Sequence, residues 1–236
     1  MKLSCLPVSF FSDIIEGRMS VFEWAQMGAA IGLDAIDISI LFTPDHAPQK
    51  LAALRRDVES TGMRILMVTS YPDFTHPDAA QRERELALEQ EVVSVGAALG
   101  AQYVRVTAGQ AHPETGRAEG IAWAIQGLRR LAESTRASGI TLVYENHAKP
   151  GAWTYTDFSQ PPDIFLEIAR ATADAGIGVN FDMGNAATFA DDPVELLRAV
   201  MDRVITIHAA DSSRRGELKH VLLGTGVTPY PALFRE

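Results

Sequence analysis

Short apolar runs rich in Val and Ile alternate along the chain with longer segments whose apolar residues recur every three or four positions. The runs are LSCLPVSF (3–10), AIDISI (35–40), RILMVTS (64–70), QYVRVTA (102–108), TLVYEN (141–146), GVNFD (178–182) and VITIHA (204–209). Most stay apolar until their last residues, the pattern of parallel strands covered on both faces. Between them lie amphipathic segments such as FEWAQMGAAIG, LAALRRDVESTG, LEQEVVSVGAALG, IQGLRRLAESTRASG and PDIFLEIARATADAG. Each closes on a glycine (Gly32, Gly62, Gly100, Gly139, Gly176), the usual residue for a left-handed helix stop. DDPVELLRAVMD fits the same slot without a glycine end.

Successive strand ends fall roughly 26–39 residues apart, the size of a βα unit. Seven units with no break in composition predict one domain over 1–236 with no linker. A (β/α)8 barrel and an open doubly wound sheet both fit such a series. No Gly-x-Gly-x-x-Gly follows the first run, and polar residues gather at the strand C-terminal ends, so the α/β fold expected is the TIM barrel. An eighth strand is missing from it: PYPALFRE reads as the first turns of a seventh helix, and closure would need on the order of 35–45 further residues. The expectation is a barrel lacking its C-terminal βα portion, or one whose last side is filled otherwise.

The 236 residues are 47% hydrophobic, enough for a substantial core, and the formal charge of −9 argues against general affinity for nucleic-acid backbone. No segment reads as a secretion signal or membrane span, and the single Cys5 makes no internal disulfide; a cytoplasmic domain is expected. Self-association into a homo-oligomer is compatible with these features.

The strongest chemical signal lies at the ends of runs five, six and seven: Glu145 in LVYEN, Asp182 in VNFDMGN and His208 in ITIHAAD. Consecutive barrel strands put their C-terminal residues on one rim. Each residue alone is better explained by pairing with a loop arginine or a backbone N–H than as a ligand. Together, two carboxylates and an imidazole on adjacent strand ends favour one divalent cation, Mn²⁺, Mg²⁺, Co²⁺ or Zn²⁺. Without it the two carboxylates would repel, and one would be driven to hold a proton.

The blocks LVYENH, VNFDMGNA, ITIHAAD and KHVLLGTG resemble the xylose-isomerase-like superfamily of sugar phosphate isomerases and epimerases, which also includes inosose dehydratases, hydroxypyruvate isomerases and the apurinic endonucleases. The resemblance implies a metal held by Glu145, Asp182, His208 and a second glutamate on strand eight, which has no counterpart in this sequence. It implies isomerisation or epimerisation of a small sugar, sugar phosphate or keto acid through an enediolate, with Glu145 as one of two acid–base glutamates. An inosose-dehydratase-like lyase and a non-catalytic sugar- or metal-binding barrel are the alternatives. Asn185 stands where several relatives, including the nucleases, carry histidine, which argues against an apurinic endonuclease.

Four further residues are candidate substrate contacts, each with a plainer reading. His147 would share the rim face of Glu145 on a continuing strand, or cap the loop before Pro150. Asn185 suits a sugar hydroxyl. Arg105 sits inside run four, where a buried guanidinium needs an anion or carboxylate: it holds Glu145 or Asp182 in place, or binds substrate. Arg214, beside Arg215, is either an anion contact or a solvated loop charge. The role of His220 in KHVLLGTG stays open between loop anchor and substrate contact. Trp153, Tyr155 and Phe158 would cover a sugar face or a subunit contact, and QRERELALEQE reads as a solvated face with ion pairs four apart.

Overall fold

The computed structural model describes residues 2–149 and 151–236, so Pro150 lies outside the description. The chain divides into two compact units, one made of the residues up to Ser70 with Leu88–Arg105 and Ser134–Thr141, the other of Tyr71–Ala87, Val106–Glu133 and Leu142–Glu236. An element cut by this division is given below with the unit that holds most of it.

In the first unit β1 (Ser4–Cys5) leads through α1 (Phe11–Ile15) and α2 (Val21–Ala30) to β2 (Ala35–Ser39). α3 (Pro48–Ser60), β3 (Ile65–Thr69), α4 (Ala79–Leu99) and β4 (Tyr103–Val106) follow. The strands pair in parallel in the order β1-β2-β3-β4. The first run is much shorter than its apolar length predicts. Pro7 has no N–H for a sheet ladder, and the chain leaves the sheet there for a 3₁₀ turn at Val8–Phe10. Ser20 and Glu23 close a capping box at the start of α2, each side chain bonding the other's backbone N–H. Gly28 and Gly96 let α2 and α4 approach the sheet, where added methyl groups would press on Ile36 and Val104 at 3.1 Å. The five helix-closing glycines all adopt φ between 74° and 82°, as the sequence pattern predicts.

In the second unit α5 (Arg117–Thr135) precedes β5 (Thr141–Glu145), α6 (Pro162–Ala171) and β6 (Gly178–Asp182). α7 (Met183–Phe189) and α8 (Pro193–Arg198) lead to β7 (Val204–His208). These strands again run parallel in chain order, β5-β6-β7. Neither unit reverses its strand order as an open doubly wound sheet does. Tyr144 packs against Phe165 of α6, the rings tilted and their centroids 5.3 Å apart, so the alternate residues Val143 and Glu145 take the opposite face of β5. α7 follows β6 at once, where no helix was expected. The stretch after His208 is not a loop either: β8 (Ser212–Arg214) and β9 (Glu217–His220) form an antiparallel hairpin, and the short α9 (Tyr230–Leu233) follows.

The acidic part of α4 pairs with other elements: Arg130 with Glu83, Arg82 over the Trp123 ring at 3.8 Å, and His46 with Glu91 at 2.6 Å. Within it Gln81 and Glu85, four apart, share a hydrogen bond. No helix among the described residues is long and apolar enough to cross a membrane.

Candidate metal centre

Strand register alone brings the three ligand candidates together. Glu145 lies opposite Asn180, and Asp182 opposite His208, so all four share one face of the second unit's sheet. One ligand atom from each of Glu145, Asp182 and His208 lies within 4.8 Å of the other two. The His208 Nδ1 is 3.1 Å from the Glu145 Oε2. Among the described residues no other group of three or more His, Cys, Asp or Glu meets in this way.

Each of the two acidic residues is held by an asparagine side chain, Glu145 at its carboxylate and Asp182 at its backbone. Asn180, on β6, donates from Nδ2 to the Glu145 Oε2 at 2.6 Å. Asn146, directly after β5, grips the backbone of Asp182 at both ends, accepting from its N–H at 2.8 Å and donating to its carbonyl at 2.9 Å. Asp182 is also the N-cap of α7, its Oδ1 accepting the Asn185 N–H at 2.7 Å. That cap satisfies a helix donor and fixes the direction of the carboxylate.

Burial pushes the Asp182 carboxyl up, and the neighbouring Glu145 charge pushes it further. His208 and the N–H groups of Asn185 and Gly184 pull it back, and it settles at about 7. Two buried acids beside an imidazole are costly as they stand, because burial and like charge both disfavour a second negative charge. A divalent cation neutralises both carboxylates and accepts a neutral imidazole, so the donor set fits a metal with oxygen and nitrogen ligands.

The remaining candidates stand in different settings. His147 does not continue the strand, which ends at Glu145; its Nε2 still lies 3.9 Å from the Glu145 Oε1. His147, Asn146 and Asn185 line one cavity with Gln160, Phe165 and Leu196. Arg105 belongs to the first unit, where it is buried and its Nη1 donates to the Ser70 carbonyl at 2.9 Å. Arg214 stands on the hairpin, its side chain 70% exposed and paired with Glu217. Arg215 donates to the carbonyls of Ala190 and Asp191. His220 closes the hairpin opposite Ser212 and is exposed. Phe158 packs over Gly120 of α5 and Trp153 is buried, so of the three loop aromatics Tyr155 alone is substantially exposed, with its ring edge-on to His112 at 5.3 Å.

Two polar hubs have no counterpart among the sequence candidates. Asp211 accepts from the backbone N–H groups of Ser212, Gly224, Gly226 and Thr228 at 2.9–3.0 Å, which anchors the KHVLLGTG block. Asp73 accepts from His112 Nε2 at 2.7 Å and from both the backbone and side-chain N–H of Gln110. In the sequence, ITIHAAD showed an aspartate three residues after a ligand candidate, but no spacing rule pairs it with glycines 13 and 15 positions later.

The family whose model matches residues 25–236 is described as xylose isomerase-like TIM barrel. No curated protein matches the chain. Solved structures share the fold at low identity. A D-psicose 3-epimerase from Clostridium cellulolyticum H10, solved with D-tagatose, is 14% identical with a TM-score of 0.79, covering 100% of this chain and 81% of its own. The probable 3-DHS dehydratase AsbF of Bacillus anthracis, involved in petrobactin synthesis, is 15% identical with a TM-score of 0.77, covering 100% and 88%. The IOLI protein, solved with a zinc atom, is 15% identical with a TM-score of 0.78, covering 98% and 82%. The fold class is that of the (β/α)8 barrel, seven of whose strands lie among the described residues.

Proposed function

Because this chain belongs to the xylose isomerase-like TIM barrel family, we propose that it is a divalent-metal-dependent isomerase or epimerase of a small sugar, sugar phosphate or keto acid. The observation that carries this reading is the meeting of buried Glu145 and Asp182 with His208 within 4.8 Å on adjacent strand ends. These three residues would hold the cation. Bound there, Mn²⁺, Mg²⁺, Co²⁺ or Zn²⁺ supplies Lewis-acid stabilisation of neighbouring substrate oxygens.

The chain's own groups do the rest. Glu145, aimed by Asn180, takes a proton from the carbon beside the substrate carbonyl and leaves an enediolate. Delivery of a proton to the opposite face by a second acid would give an epimer, and return of the Glu145 proton to the neighbouring carbon would give the aldose–ketose isomer. His147, whose Nε2 is 3.9 Å from the Glu145 Oε1, and Asn185, whose N–H caps Asp182, would offer hydrogen bonds to substrate hydroxyls. Arg214 and Arg105 stay outside this assignment. The formal charge of −9 supports a small-molecule substrate over a nucleic acid. A dehydratase reading, in which the same enediolate expels a β-hydroxyl as water, draws support from the likeness to AsbF.

The test is incubation of the Mn²⁺-loaded protein with a panel of ketoses and keto acids in deuterated water. Deuterium is expected beside the carbonyl, with a conjugated enone chromophore if water is lost. Metal binding with no exchange across the panel would replace this reading with a non-catalytic binding barrel.

A further inference from the structure

β6 carries a fully buried amide, Asn180, between Val179 and Phe181. A buried amide is tolerated only when its donors and acceptors are engaged. Here both ends are engaged across the sheet. The Thr206 Oγ1 donates to the Asn180 Oδ1 at 2.8 Å, and the Asn180 Nδ2 donates to the Glu145 Oε2 at 2.6 Å. The directions follow from chemistry: a carboxylate ready for a cation only accepts, so the amide nitrogen must face Glu145. The amide oxygen then faces Thr206, whose hydroxyl must donate.

The register is adjusted to make this row. Val179 pairs with Val204, but the next residue, Asn180, pairs with Thr206, so β7 carries one extra residue, Ile205, at a bulge. Without it Asn180 would face the apolar Ile205, and Asp182 would face Ile207 in place of His208. Gly178 makes room, since any side chain there would collide with Ile205. Bulges beside functional sites commonly re-aim side chains in this way.

We infer that Asn180 is a positioning residue, set by the Thr206 hydroxyl and acting through Glu145 to aim that carboxylate at the cation. The inference rests on the metal reading of Glu145 given above. A plainer role, in which the amide only fills the core, would make Asn180 matter for stability and not for metal binding. Removal of a group that orients a metal ligand typically weakens metal affinity about 10–100-fold.

The test compares the unaltered protein with Asn180→Leu and Thr206→Val, each close in size to the residue it replaces. Titration with Mn²⁺ alone gives the affinity, the visible spectrum of the Co²⁺-loaded protein reports the ligand geometry, and thermal unfolding is followed without metal. Asn180→Leu is expected to weaken Mn²⁺ binding about 10–100-fold and to change the Co²⁺ band shape. Thr206→Val should move both readouts the same way by a smaller factor, because the amide keeps its donor but loses its orientation. Unchanged Mn²⁺ affinity and Co²⁺ spectrum in either folded variant, beside tight binding by the unaltered protein, overturns the inference and leaves the metal reading standing. If Asn180→Leu fails to fold, Thr206→Val decides by the same criterion. Absence of Mn²⁺ and Co²⁺ binding in the unaltered protein overturns both.

Discussion

Gly184 and Ala210 pass so closely that a methyl group on residue 184 would stand 2.7 Å from the Ala210 carbonyl oxygen. Gly184 lies two residues past Asp182, and Ala210 two past His208, so this contact sets how near the exits of β6 and β7 can come. Gly184→Ala would push backbone against backbone, which no side-chain rotation relieves. The expected cost is about 1–3 kcal/mol of stability, in line with overpacking elsewhere, together with weaker Mn²⁺ binding as Asp182 and His208 separate. Thermal unfolding and metal titration check both; an unchanged affinity would show that the clamp does not depend on this contact.

Asp211 anchors the segment behind the centre through charge. Burial pushes its carboxyl up, but the N–H groups of Thr228, Gly226 and Gly224 with the Thr228 hydroxyl outweigh that, and it ends below the usual carboxylate value. A folded-state value below the unfolded one means that the unfolded chain binds more protons over this range. The stabilisation is therefore complete above the unfolded value of about 3.9 and is lost as pH falls through the lower folded value. Asp211→Asn should lower stability near neutrality and remove part of the acid-side slope. Denaturant midpoints from pH 3 to pH 7 for the two proteins, on the order of one point per half unit, resolve the slopes.

The legible parts of this molecule are those where one physical signal dominates. Strand ends were readable because buried parallel strands stay apolar until the rim, so Glu145, Asp182 and His208 stood out against Val, Ile and Phe. Helix stops were readable because only glycine takes the left-handed turn cheaply. α7 was not, since MGNAATF is small and nearly wholly buried and so lacks a polar face to give it a period. The β8–β9 hairpin was hidden for the opposite reason: SSRRGELKH is polar on both faces, and strand alternation had nothing to mark. The bulge at Ile205 that brings Thr206 opposite Asn180 is a register choice, and register lies in the pairing of two strands and not in either sequence alone.

Arg214 tests the difference between a charged residue and a used one. The sequence made it a candidate anion contact; the hairpin places it in solvent beside Glu217. Exposed pairs contribute about 0–1 kcal/mol. Arg214→Ala should leave the unfolding midpoint and the Mn²⁺ affinity within error of the unaltered protein. Once a substrate is identified by the exchange assay, its KM should also be unchanged; a marked rise in KM would return Arg214 to the site.

The Asp73 hub ties together three segments of the second unit, those that follow β3, β4 and β5 in the chain. One carboxylate oxygen accepts from the Gln110 N–H at 2.9 Å, the other from Gln110 Nε2 at 3.0 Å and His112 Nε2 at 2.7 Å. The far end of Gln110 then accepts from the N–H groups of Thr154 and Tyr155, so one acid fixes Gln110 and His112 directly and Thr154 and Tyr155 at one remove. Gly109 allows the approach, with φ at 133° and no space for a Cβ beside Thr75 and Asp73. Asp73→Ala would strand the Gln110 and His112 donors in a largely buried setting, at about 1–3 kcal/mol for each donor left without a partner. Because the broken bonds lie in loops, the loss should appear as local opening before global unfolding. Amide exchange is expected to quicken about tenfold or more at 110–112 and 154–155, while β5 and β6 keep their protection. Equal exchange in both loops would mean that packing around Trp153 and Phe158, and not the Asp73 carboxylate, holds them in place.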